Sequence, residues 1–317
     1  KPLINVCGKS LIDYVIEQAE HFKKTHPMDI GVVVGFGEDL VKNHLKDKKE
    51  LLYATQKELN GTAGAVKAFF SEHDHTKYKN IFIACADTPL IHAHIFEELL
   101  SIKEKKSLKA VAATFESANP TGFGRIVRQQ EGFFIREEKD ASENEKKIKE
   151  VNSGFYFLDC QYLYSQIQTI NSNNAAHEFY LTDIFTTQSF CEAFLFNEEI
   201  VFQGVNTYDQ LSLIEKKLQE QKINQMQKEG VYFENAASVW IDQDVQIGSG
   251  TRVGSSCSFY GKSVVGANNT IETGCVFKNT VVGESNKILA YSYMEEASIG
   301  YHNDLGPFAR LRPLTVI

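Results

Sequence analysis

Ile81-Phe-Ile-Ala-Cys-Ala-Asp-Thr-Pro-Leu90 is an apolar run that ends in one aspartate and a proline. Because proline cannot continue a central strand, the run predicts a buried parallel strand that delivers the Asp87 carboxylate to the carboxyl edge of a sheet. Open α/β sheets bind ligands at that edge. Upstream, Thr55-Gln-Lys-Glu-Leu-Asn-Gly-Thr-Ala-Gly-Ala65 places Gln56 before a turn of small residues and a helix. Its backbone amides can approach a base or a phosphate closely, so the two segments predict a nucleotide and a metal held side by side.

The length and charge of the chain limit its class. Its 317 residues predict two domains. The net charge is −8 and the isoelectric point is about 5.7, with lysines and arginines scattered along the chain. This argues against a nucleic-acid-binding surface, which would need a basic face, but it is compatible with a locally positive pocket that binds an anionic nucleotide.

The cysteines and the hydropathy indicate where the protein works. The six cysteines, at positions 7, 85, 160, 191, 257 and 275, form no CxxC pair. They therefore predict reduced thiols in a cytoplasmic protein. No apolar run has the length of a membrane span, and no signal peptide is visible, so we expect no membrane partner. The chain starts at Lys1 without a methionine, and we expect that residues precede it.

The first two thirds of the chain alternate between strand-like and helix-like segments. Residues 30–35, 81–84, 110–114 and 155–158 predict strands, and residues 11–22, 63–72 and 94–105 predict amphipathic helices. This alternation predicts a layered α/β sandwich with a largely parallel sheet. A long helical stretch over 208–230 then carries one apolar stripe and predicts a connecting arm.

After Gly230, apolar residues recur with a period of six. They form three series, each displaced by a one-residue slip: Ile241, Ile247, Val253, Phe259, Val265 and Ile271; Val276, Val282, Ile288 and Met294; Ile299, Leu305 and Leu311. This period predicts a parallel β-helix of about four or five triangular coils. We therefore expect three segments: a domain over 1–207, a connecting helix over 208–230 and hexapeptide repeats over 231–317.

Several polar motifs occur in a fixed order along the chain. Each alone is compatible with a plain turn, cap or solvated charge run. In order, they are Lys1-Pro-Leu with Gly8-Lys-Ser-Leu, Gln56 with Gly61-Thr62, Asp87-Thr-Pro-Leu, Pro120-Thr-Gly-Phe-Gly-Arg, Glu137 with Lys139-Asp140, Val151-Asn-Ser-Gly, Tyr180-Leu-Thr-Asp, Gly204-Val-Asn and Gly306-Pro-Phe-Ala-Arg-Leu-Arg-Pro. Over essentially its whole length the chain resembles the bifunctional N-acetylglucosamine-1-phosphate uridylyltransferase/glucosamine-1-phosphate N-acetyltransferase family.

The resemblance implies a fold and a set of site residues. The fold would be a Rossmann-like nucleotidyltransferase sandwich followed by a left-handed parallel β-helix. Gln56, Gly61 and Thr62 would recognise uracil, and the segment Cys85-Ala86-Asp87 would line the ribose and phosphates. Lys1 would neutralise phosphate charge as a catalytic residue beside Asp87. The residues that would hold the amino sugar are Gly124, Glu137, Asn152, Tyr180, Thr182 and Asn206.

The implied reaction is in-line attack of the sugar-1-phosphate oxygen on the α-phosphorus of UTP, which expels pyrophosphate. The product, UDP-N-acetylglucosamine, would serve cell-wall and lipopolysaccharide precursor synthesis. Asp87 and Asn206 would bind Mg²⁺, a hard cation that prefers oxygen ligands. Such chemistry depends on positioning and charge neutralisation rather than on covalent catalysis. The resemblance further implies a homotrimer that assembles through the β-helix.

The sequence departs from the family pattern at three places. The family's opening strand and its triphosphate-binding loop would lie before Lys1. Ala86 stands where the family usually has glycine before the metal-binding aspartate. Most of the acetyltransferase site would lie after Ile317, and only Arg312 matches a residue expected to touch the sugar phosphate there. We therefore expect the chain to lack N-acetyltransferase activity by itself.

Three other functions fit parts of the sequence. Another sugar-1-phosphate nucleotidyltransferase would share the aspartate at the strand end and differ in its substrate panel. A hexapeptide-repeat acyltransferase would bind acetyl-CoA. A non-catalytic scaffold would keep the β-helix for assembly without turning over nucleotide.

Overall fold

The chain folds into two compact units in a computed structural model that describes residues 1–185 and 189–317. The first unit comprises Lys1–Leu3 and Leu11–Gly204, and the second comprises Ile4–Ser10 and Val205–Ile317. The first ten residues are therefore divided between the two units. The functional domain limits expected at residues 207 and 230 stay a prediction.

The helices and strands of the first unit lie close to the segments that the sequence predicts. The helices are α1 Leu11–Lys23, α2 Glu38–His44, α3 Thr62–Glu72, α4 Ala93–Lys105 and α5 Cys160–Ile167. With β1 and β2 assigned to Asn5–Val6 and Lys9–Ser10 of the second unit, the strands are β3 Ile30–Val34, β4 Leu51–Thr55, β5 Asn80–Ile83, β6 Ala110–Glu116, β7 Arg125–Arg128, β8 Phe133–Arg136, β9 Glu150–Asp159 and β10 Cys191–Phe196. Short 3-10 turns occupy His75–Lys77, Glu138–Asp140, Glu145–Lys147, Leu181–Ile184 and Glu199–Phe202.

The main sheet of this unit is mixed, so the expectation of a largely parallel sheet is wrong. Its order is β10-β6-β9-β7-β8, and β5 also pairs with β9. Only β10 and β6 pair in parallel, whereas β9 runs antiparallel to β5, β6 and β7. The reason is the connection: β6 leads to β9 through the β7–β8 hairpin and not through a helical crossover, and a hairpin reverses the chain direction.

Strand β5, which precedes Asp87, also differs from its prediction. It pairs antiparallel with the end of β9 from Tyr156 to Asp159, and its four residues are only half-buried. It nevertheless runs in the same direction as β6, because both strands are antiparallel to β9. Strand β10 shares this direction, because it is parallel to β6. Asp87 therefore follows the carboxyl end of its strand, as the apolar run predicted. A separate parallel pair, β3 and β4, begins with Ile30 opposite Leu51.

Helices cover both faces of the main sheet, which confirms the layered α/β sandwich. On one face, α1 and α4 contribute to a core with alternate residues of β6 and β9, namely Val111, Ala113, Phe115, Val151, Phe155 and Phe157. On the other face, α3 and α5 pack with the intervening residues Ala110, Ala112, Tyr156 and Leu158. This alternation follows from the two-residue period of a strand, which sends neighbouring side chains to opposite faces.

The second unit begins with a short hairpin and a long helix. In the hairpin, β1 and β2 are joined by Cys7 and Gly8, whose φ angles of 47° and 86° are both positive, as a type I′ turn requires. Helix α6, Tyr208–Lys228, starts with a capping box between Thr207 and Gln210. It lies where the sequence predicts a helix with one apolar stripe, and it buries Ile214, Leu218, Ile223 and Met226.

Residues 231–317 form a parallel β-helix. This part of the chain includes a 3-10 turn at Ala236–Ser238. Its strands are β11 Tyr232–Phe233, β12 Trp240–Ile241, β13 Gln246–Ile247, β14 Arg252–Val253, β15 Ser258–Tyr260, β16 Val264–Val265, β17 Thr270–Ile271, β18 Val276–Lys278, β19 Val281–Val282, β20 Lys287–Ile288, β21 Tyr293–Glu295, β22 Ser298–Ile299, β23 Asp304–Leu305 and β24 Arg310–Leu311. They make three parallel sheets of five, five and four strands. These numbers match the predicted four to five coils, and the three parallel sheets fit the predicted left-handed β-helix fold class.

The predicted position of the first slip in the repeat is wrong. The buried residue of β18 is Phe277 and not Val276, and its ring stacks on Phe259 with centroids 4.8 Å apart. The slip follows Phe277, because the turn at Asn279 and Thr280 is one residue shorter than the corresponding turn before Val264. The strands stay in register across the shorter corner, with Phe277 opposite Phe259 and Val282 opposite Val265, so Phe277 is the residue that faces the core.

No helix in the described ranges, 1–185 and 189–317, is long and apolar enough to cross a membrane.

Candidate active site

Asp87 lies just beyond β5 in a turn that a side-chain hydrogen bond stabilises. The Thr88 hydroxyl donates a hydrogen bond to the Cys85 carbonyl at 3.0 Å, and Thr88 itself is buried. The Asp87 carboxylate forms an ion pair with Lys1, and 27% of its side chain stays exposed. A Cβ atom built on Gly204 would stand 3.4 Å from both carboxylate oxygens. Two predicted catalytic residues are therefore in contact, and the space beside the carboxylate depends on a glycine.

The thiol of Cys85 closes the other side of this turn. Its Sγ lies 3.8 Å from the Gly154 carbonyl oxygen. Burial, followed by the nearby Asp87 carboxylate, raises the pKa of Cys85 to about 12. A thiol with so high a pKa stays protonated at neutral pH and is a poor nucleophile. Cys85 and its neighbour Ala86 are half-buried, so their role here is to line the site.

The predicted uracil-recognition residues form the turn before α3. Gln56 donates from Nε2 to the Gly61 carbonyl at 3.0 Å and to Asn60 Oδ1 at 3.3 Å. Gly61 has a φ of 110°, and a Cβ atom there would lie 2.5 Å from the Phe179 carbonyl oxygen. Only glycine fits this combination of positive φ and close backbone approach. With both Nε2 contacts made inside the protein, the Gln56 carbonyl oxygen is the part of the amide left to accept from a ligand.

A cavity of about 470 Å³ lies against this turn. Gln56, Asn60 and Gly64 contribute to its wall, together with Thr55, Lys57, Glu58, Ala68, Ser71 and Glu72. Its lining mixes polar and apolar surface, and it includes Gly64 in the first turn of α3. Such a cavity suits a ligand with several hydrogen-bonding groups, such as a nucleoside.

Main-chain hydrogen bonds join the α3 turn to the segment that carries Tyr180 and Thr182. Phe179 donates from its backbone nitrogen to the Asn60 carbonyl at 2.7 Å and accepts from the Ala63 nitrogen at 2.9 Å. The Leu181 nitrogen donates to the Thr62 hydroxyl oxygen at 3.0 Å. Two segments more than a hundred residues apart in sequence therefore form one surface. The Thr62 hydroxyl can in addition donate a hydrogen bond to a ligand.

Four of the predicted sugar-binding residues converge beside this surface. Thr182 donates from its hydroxyl to Glu137 Oε1 at 2.8 Å. A Cβ atom on Gly124 would lie 3.4 Å from Glu137 Oε2 and 3.5 Å from Asn152 Cβ. The Asn152 nitrogen also donates to the Gly124 carbonyl at 2.8 Å. Gly124, Glu137, Asn152 and Thr182 thus surround one small volume with a carboxylate and an amide.

We call Gly124, Glu137, Asn152 and Thr182 the sugar-side group. Its electrostatic character is acidic. Burial raises the pKa of Glu137, the Thr182 hydrogen bond opposes that rise, and nearby carboxylates led by Asp183 add to it. Burial, followed by Asp140 and Glu137, raises the pKa of Tyr180 to about 12. Carboxylates accept hydrogen bonds, so this part of the site is suited to the hydroxyl and amide donors of a sugar and not to its phosphate.

Arg125 is a functional candidate that the sequence interpretation did not single out. It is 1% exposed, and its Nη2 lies 2.6 Å from Glu138 Oε2. The same guanidinium donates to the carbonyls of Phe123 and Lys146. It therefore braces the loop that carries Glu137, the residue before Glu138. The signal was an arginine directly after Gly124 at the start of an apolar strand, where an unpaired charge would be costly.

Two predicted residues belong to the second unit. Asn206 precedes α6, and its backbone nitrogen donates to Gln210 Oε1 at 2.7 Å. Arg312 is exposed beyond β24, and its carbonyl accepts from the Thr315 nitrogen at 3.1 Å. Their roles in metal and sugar-phosphate binding stay predictions. Among the residues that the structure describes, no group of three or more His, Cys, Asp or Glu side chains is placed to hold a metal ion.

Comparison with known proteins identifies the family. The model of the nucleotidyl transferase family matches residues 1–243. The chain is 32% identical over 322 residues to the bifunctional protein GlmU of Listeria monocytogenes serotype 4a (strain HCC23), covering 99% of this chain and 68% of that protein. It is 34% identical over 334 residues to the bifunctional protein GlmU of Geobacillus sp. (strain WCH70), covering 100% of this chain and 69% of that protein. The chain therefore belongs to the nucleotidyl transferase family and, within it, to the bifunctional GlmU proteins.

Solved structures with the same fold are more distant in sequence. One is a putative UDP-N-acetylglucosamine pyrophosphorylase from Entamoeba histolytica, with a TM-score of 0.54 and 11% identity, which covers 71% of this chain and 76% of that chain. Another is a UDP-glucose pyrophosphorylase complexed with UDP-glucose, with a TM-score of 0.52 and 16% identity, which covers 70% of this chain and 90% of that chain. At these identities the likeness establishes the fold alone.

Proposed function

We infer that the protein transfers a uridylyl group from UTP to N-acetylglucosamine-1-phosphate, giving UDP-N-acetylglucosamine and pyrophosphate. The observation that carries this function is a chain of contacts within one unit. The α3 turn bonds to the segment that carries Thr182, and Thr182 bonds to Glu137. On the other side, Cys85 of the Asp87 turn contacts Gly154, which bonds to Asn152 of the sugar-side group. Family membership gives the same class of reaction. The product would enter the synthesis of cell-wall and lipopolysaccharide precursors.

The residues of the site would divide the work as follows. Gln56, Gly61 and Thr62 would hold the base, and the sugar-side carboxylate Glu137 would accept from the sugar. A phosphate oxygen of the sugar would then attack the α-phosphorus of UTP, and the bond from that phosphorus to the bridging oxygen would break. Lys1 would neutralise negative charge on the phosphates, because phosphoryl transfer depends on stabilising the charge of the phosphate oxygens.

We propose that the reaction depends on Mg²⁺ and that Asp87 is its ligand in the first unit; Asn206 is a second ligand by the family resemblance alone. The Asp87 carboxylate suits a hard cation because it is partly exposed and has no Cβ from Gly204 beside it. When bound, the ion would neutralise charge on the phosphate oxygens. The ion pair between Lys1 and Asp87 would then be exchanged, which would leave the ammonium group of Lys1 for the phosphates.

The test is pyrophosphate release from UTP and N-acetylglucosamine-1-phosphate, with and without Mg²⁺. Asp87→Asn should lower metal-dependent turnover at least about 100-fold, because removing one well-placed charge costs that much in comparable sites. Asp74→Asn is the matched control, since Asp74 is an exposed carboxylate that accepts hydrogen bonds from Thr76. Undiminished turnover by Asp87→Asn, with an unchanged circular dichroism spectrum, would contradict the metal assignment.

A substrate panel separates this function from its rival among sugar nucleotidyltransferases. Replacing N-acetylglucosamine-1-phosphate by glucose-1-phosphate should lower kcat/KM, because a partner of Glu137 and Asn152 is lost. Replacing UTP by CTP should lower it as well, since the Gln56 carbonyl oxygen accepts from the N3–H of uracil but repels the acceptor nitrogen of cytosine. Faster turnover of glucose-1-phosphate would favour the rival.

We also propose that the protein works as a homotrimer in the cytoplasm. The β-helix exposes large apolar side chains, including Tyr301 at 68% and Phe308 at 73%, and such surfaces commonly mark association sites. All six cysteines are free thiols, as is usual in a reducing compartment. Light scattering coupled to gel filtration measures the mass, and a monomer at micromolar concentration would contradict the trimer.

A further inference from the structure

Strand β9 contains a bulge between Asn152 and Tyr156. Opposite these residues, β6 advances from Thr114 to Ala112, so β9 uses two more residues than its partner over the same span. Ser153 bridges the irregularity: its hydroxyl donates to the Ala113 carbonyl at 2.6 Å and accepts from the Phe155 nitrogen at 3.1 Å. Gly154, with a φ of 80°, makes the turn of the chain possible. Bulges of this kind redirect side chains next to functional sites.

The bulge brings the side chains of Asn152 and Tyr156 together. Asn152 donates from Nδ2 to the Tyr156 hydroxyl oxygen at 2.7 Å, and its Oδ1 accepts from the Gly154 nitrogen at 3.2 Å. In a regular strand, residues four positions apart are too far separated for this contact. Because Oδ1 is the atom that accepts from a backbone N–H, the two ends of the amide are assigned without ambiguity. Both ends of the Asn152 amide are therefore held by the protein.

The acceptor, the Tyr156 hydroxyl, belongs to a buried and packed side chain. Tyr156 is 4% exposed, and its ring packs against Phe185 with centroids 5.2 Å apart. Burial also raises the pKa of Tyr156, which keeps the hydroxyl protonated at any working pH. An amide has two N–H donors, so one Asn152 donor goes to Tyr156 and the second points to a separate acceptor. Asn152 lies beside Gly124, which in turn lies beside Glu137, so the Asn152 amide borders the sugar side of the site.

We propose that Tyr156 is a positioning residue for sugar recognition: its hydroxyl locks the Asn152 amide so that the second N–H meets an acceptor oxygen of the N-acetylamino sugar. This inference rests on the proposed function. Without the hydroxyl, the terminal torsion of Asn152 has a broad, shallow preference and the amide can turn away. The loss of one well-oriented hydrogen bond should then weaken sugar-phosphate binding about three- to tenfold.

The experiment is a double-mutant cycle on the full chain with Tyr156→Phe, Asn152→Ala and the combined variant. We expect Tyr156→Phe to raise the KM for N-acetylglucosamine-1-phosphate about three- to tenfold and to leave the KM for UTP unchanged. The combined variant should be no worse than Asn152→Ala, because both changes remove the same donor from the same ligand. Tyr78→Phe is the control, since it deletes a hydroxyl that donates to Asp29 at 2.6 Å.

Titration calorimetry supplies a readout that does not need turnover. Tyr156→Phe should weaken binding of UDP-N-acetylglucosamine by the same factor and leave the binding of UMP unchanged. Equal losses for both ligands would assign Tyr156 a merely structural role and overturn the inference, as would additive effects in the cycle or no effect at all. Absence of turnover by the parent chain would instead refute the proposed function, whereas an active parent with an unchanged Tyr156→Phe variant refutes only the inference.

Discussion

At the scale of single residues, Glu137 of the sugar-side group is suited to recognition at a cost in folding stability. Glu137 is a carboxylate placed among Asp183, Asp140 and Glu178, and its pKa is raised mainly by burial. Folding therefore favours the protonated acid. The stability that this group contributes is present below the ordinary pKa of glutamate and is lost as the pH rises through the raised value. The ionised form is the stronger acceptor for a sugar hydroxyl or amide, so recognition favours the form that folding disfavours.

Glu137→Gln tests this trade. The amide keeps an acceptor for the Thr182 hydroxyl and removes the buried charge, so we expect a melting temperature about 2–4 °C higher at pH 7.5. The difference should vanish near pH 4, where the parent carboxyl is protonated. Turnover should fall because a neutral amide is a weaker acceptor. Differential scanning calorimetry at both ends of this pH range measures the difference in melting temperature between variant and parent. Glu131→Gln, at an exposed position, is the control. A lower melting temperature at pH 7.5 would contradict the assignment.

At the scale of elements, a ladder of asparagines supports one corner of the β-helix. Asn269, Asn286 and Asn303 occupy equivalent positions in successive coils. The backbone nitrogen of Asn286 donates to Asn269 Oδ1 at 2.8 Å, and that of Asn303 donates to Asn286 Oδ1 at 2.9 Å. Asn286 is 2% exposed and also donates to the Gly300 carbonyl at 2.8 Å. Each side chain thus satisfies backbone groups of the next coil, which a parallel sheet of two-residue strands leaves at its corners.

Asn286→Ala should therefore destabilise the second unit strongly. The substitution removes these hydrogen bonds from the partly buried Asn303 nitrogen and Gly300 carbonyl, and we expect a loss of about 1–3 kcal/mol in unfolding free energy. Urea denaturation followed by circular dichroism measures it. Gln246→Ala, an exposed position on β13 of the same β-helix, should change the free energy by less than about 0.5 kcal/mol. Equal effects of the two substitutions would show that the ladder contributes nothing specific.

At the scale of the whole molecule, the N-terminal hairpin belongs to the unit formed by the C-terminal part of the chain. Cys7 accepts from Gln219 Nε2 at 3.3 Å, and its carbonyl accepts from the Gln243 nitrogen at 2.9 Å. Lys9 pairs with Asp244 at 2.8 Å. Burial raises the pKa of Cys7 to about 11, despite the opposing Gln219 hydrogen bond. The thiol should therefore report on opening of the second unit, although it lies near the start of the sequence.

Thiol labelling in urea tests this assignment. In the Asn286→Ala variant, we expect Cys7 to react together with Cys257 and Cys275 of the second unit. Cys160 and Cys191 of the first unit should stay protected at the same urea concentration, because the substitution removes contacts only from the second unit. Mass spectrometry of the labelled peptides identifies each thiol, and Cys7→Ser provides the background. Labelling of Cys7 together with Cys160 and Cys191 would contradict the division of the chain.

Much of the fold and part of the site could be predicted from local pattern. Helices α1, α3 and α4 begin and end within a residue or so of their predicted limits, because amphipathic spacing is read within one element. The β-helix was evident because each coil repeats the environment of the last. Asp87 stood out because an apolar strand that ends in a carboxylate and a proline is a local signal. The roles assigned to the individual site residues stay predictions.

The sequence by itself determined the order of elements, the two kinds of architecture and the candidates for the site. Only the tertiary structure decided the antiparallel direction of β9, the choice of Phe277 over Val276, and the partners of Arg125 and Tyr156. The physical reason is the range of the interactions. Periodicity reflects which face of one element is buried, whereas strand direction, bulges and buried polar pairs depend on contacts between segments that are distant in the chain. Those contacts exist only after the chain has folded.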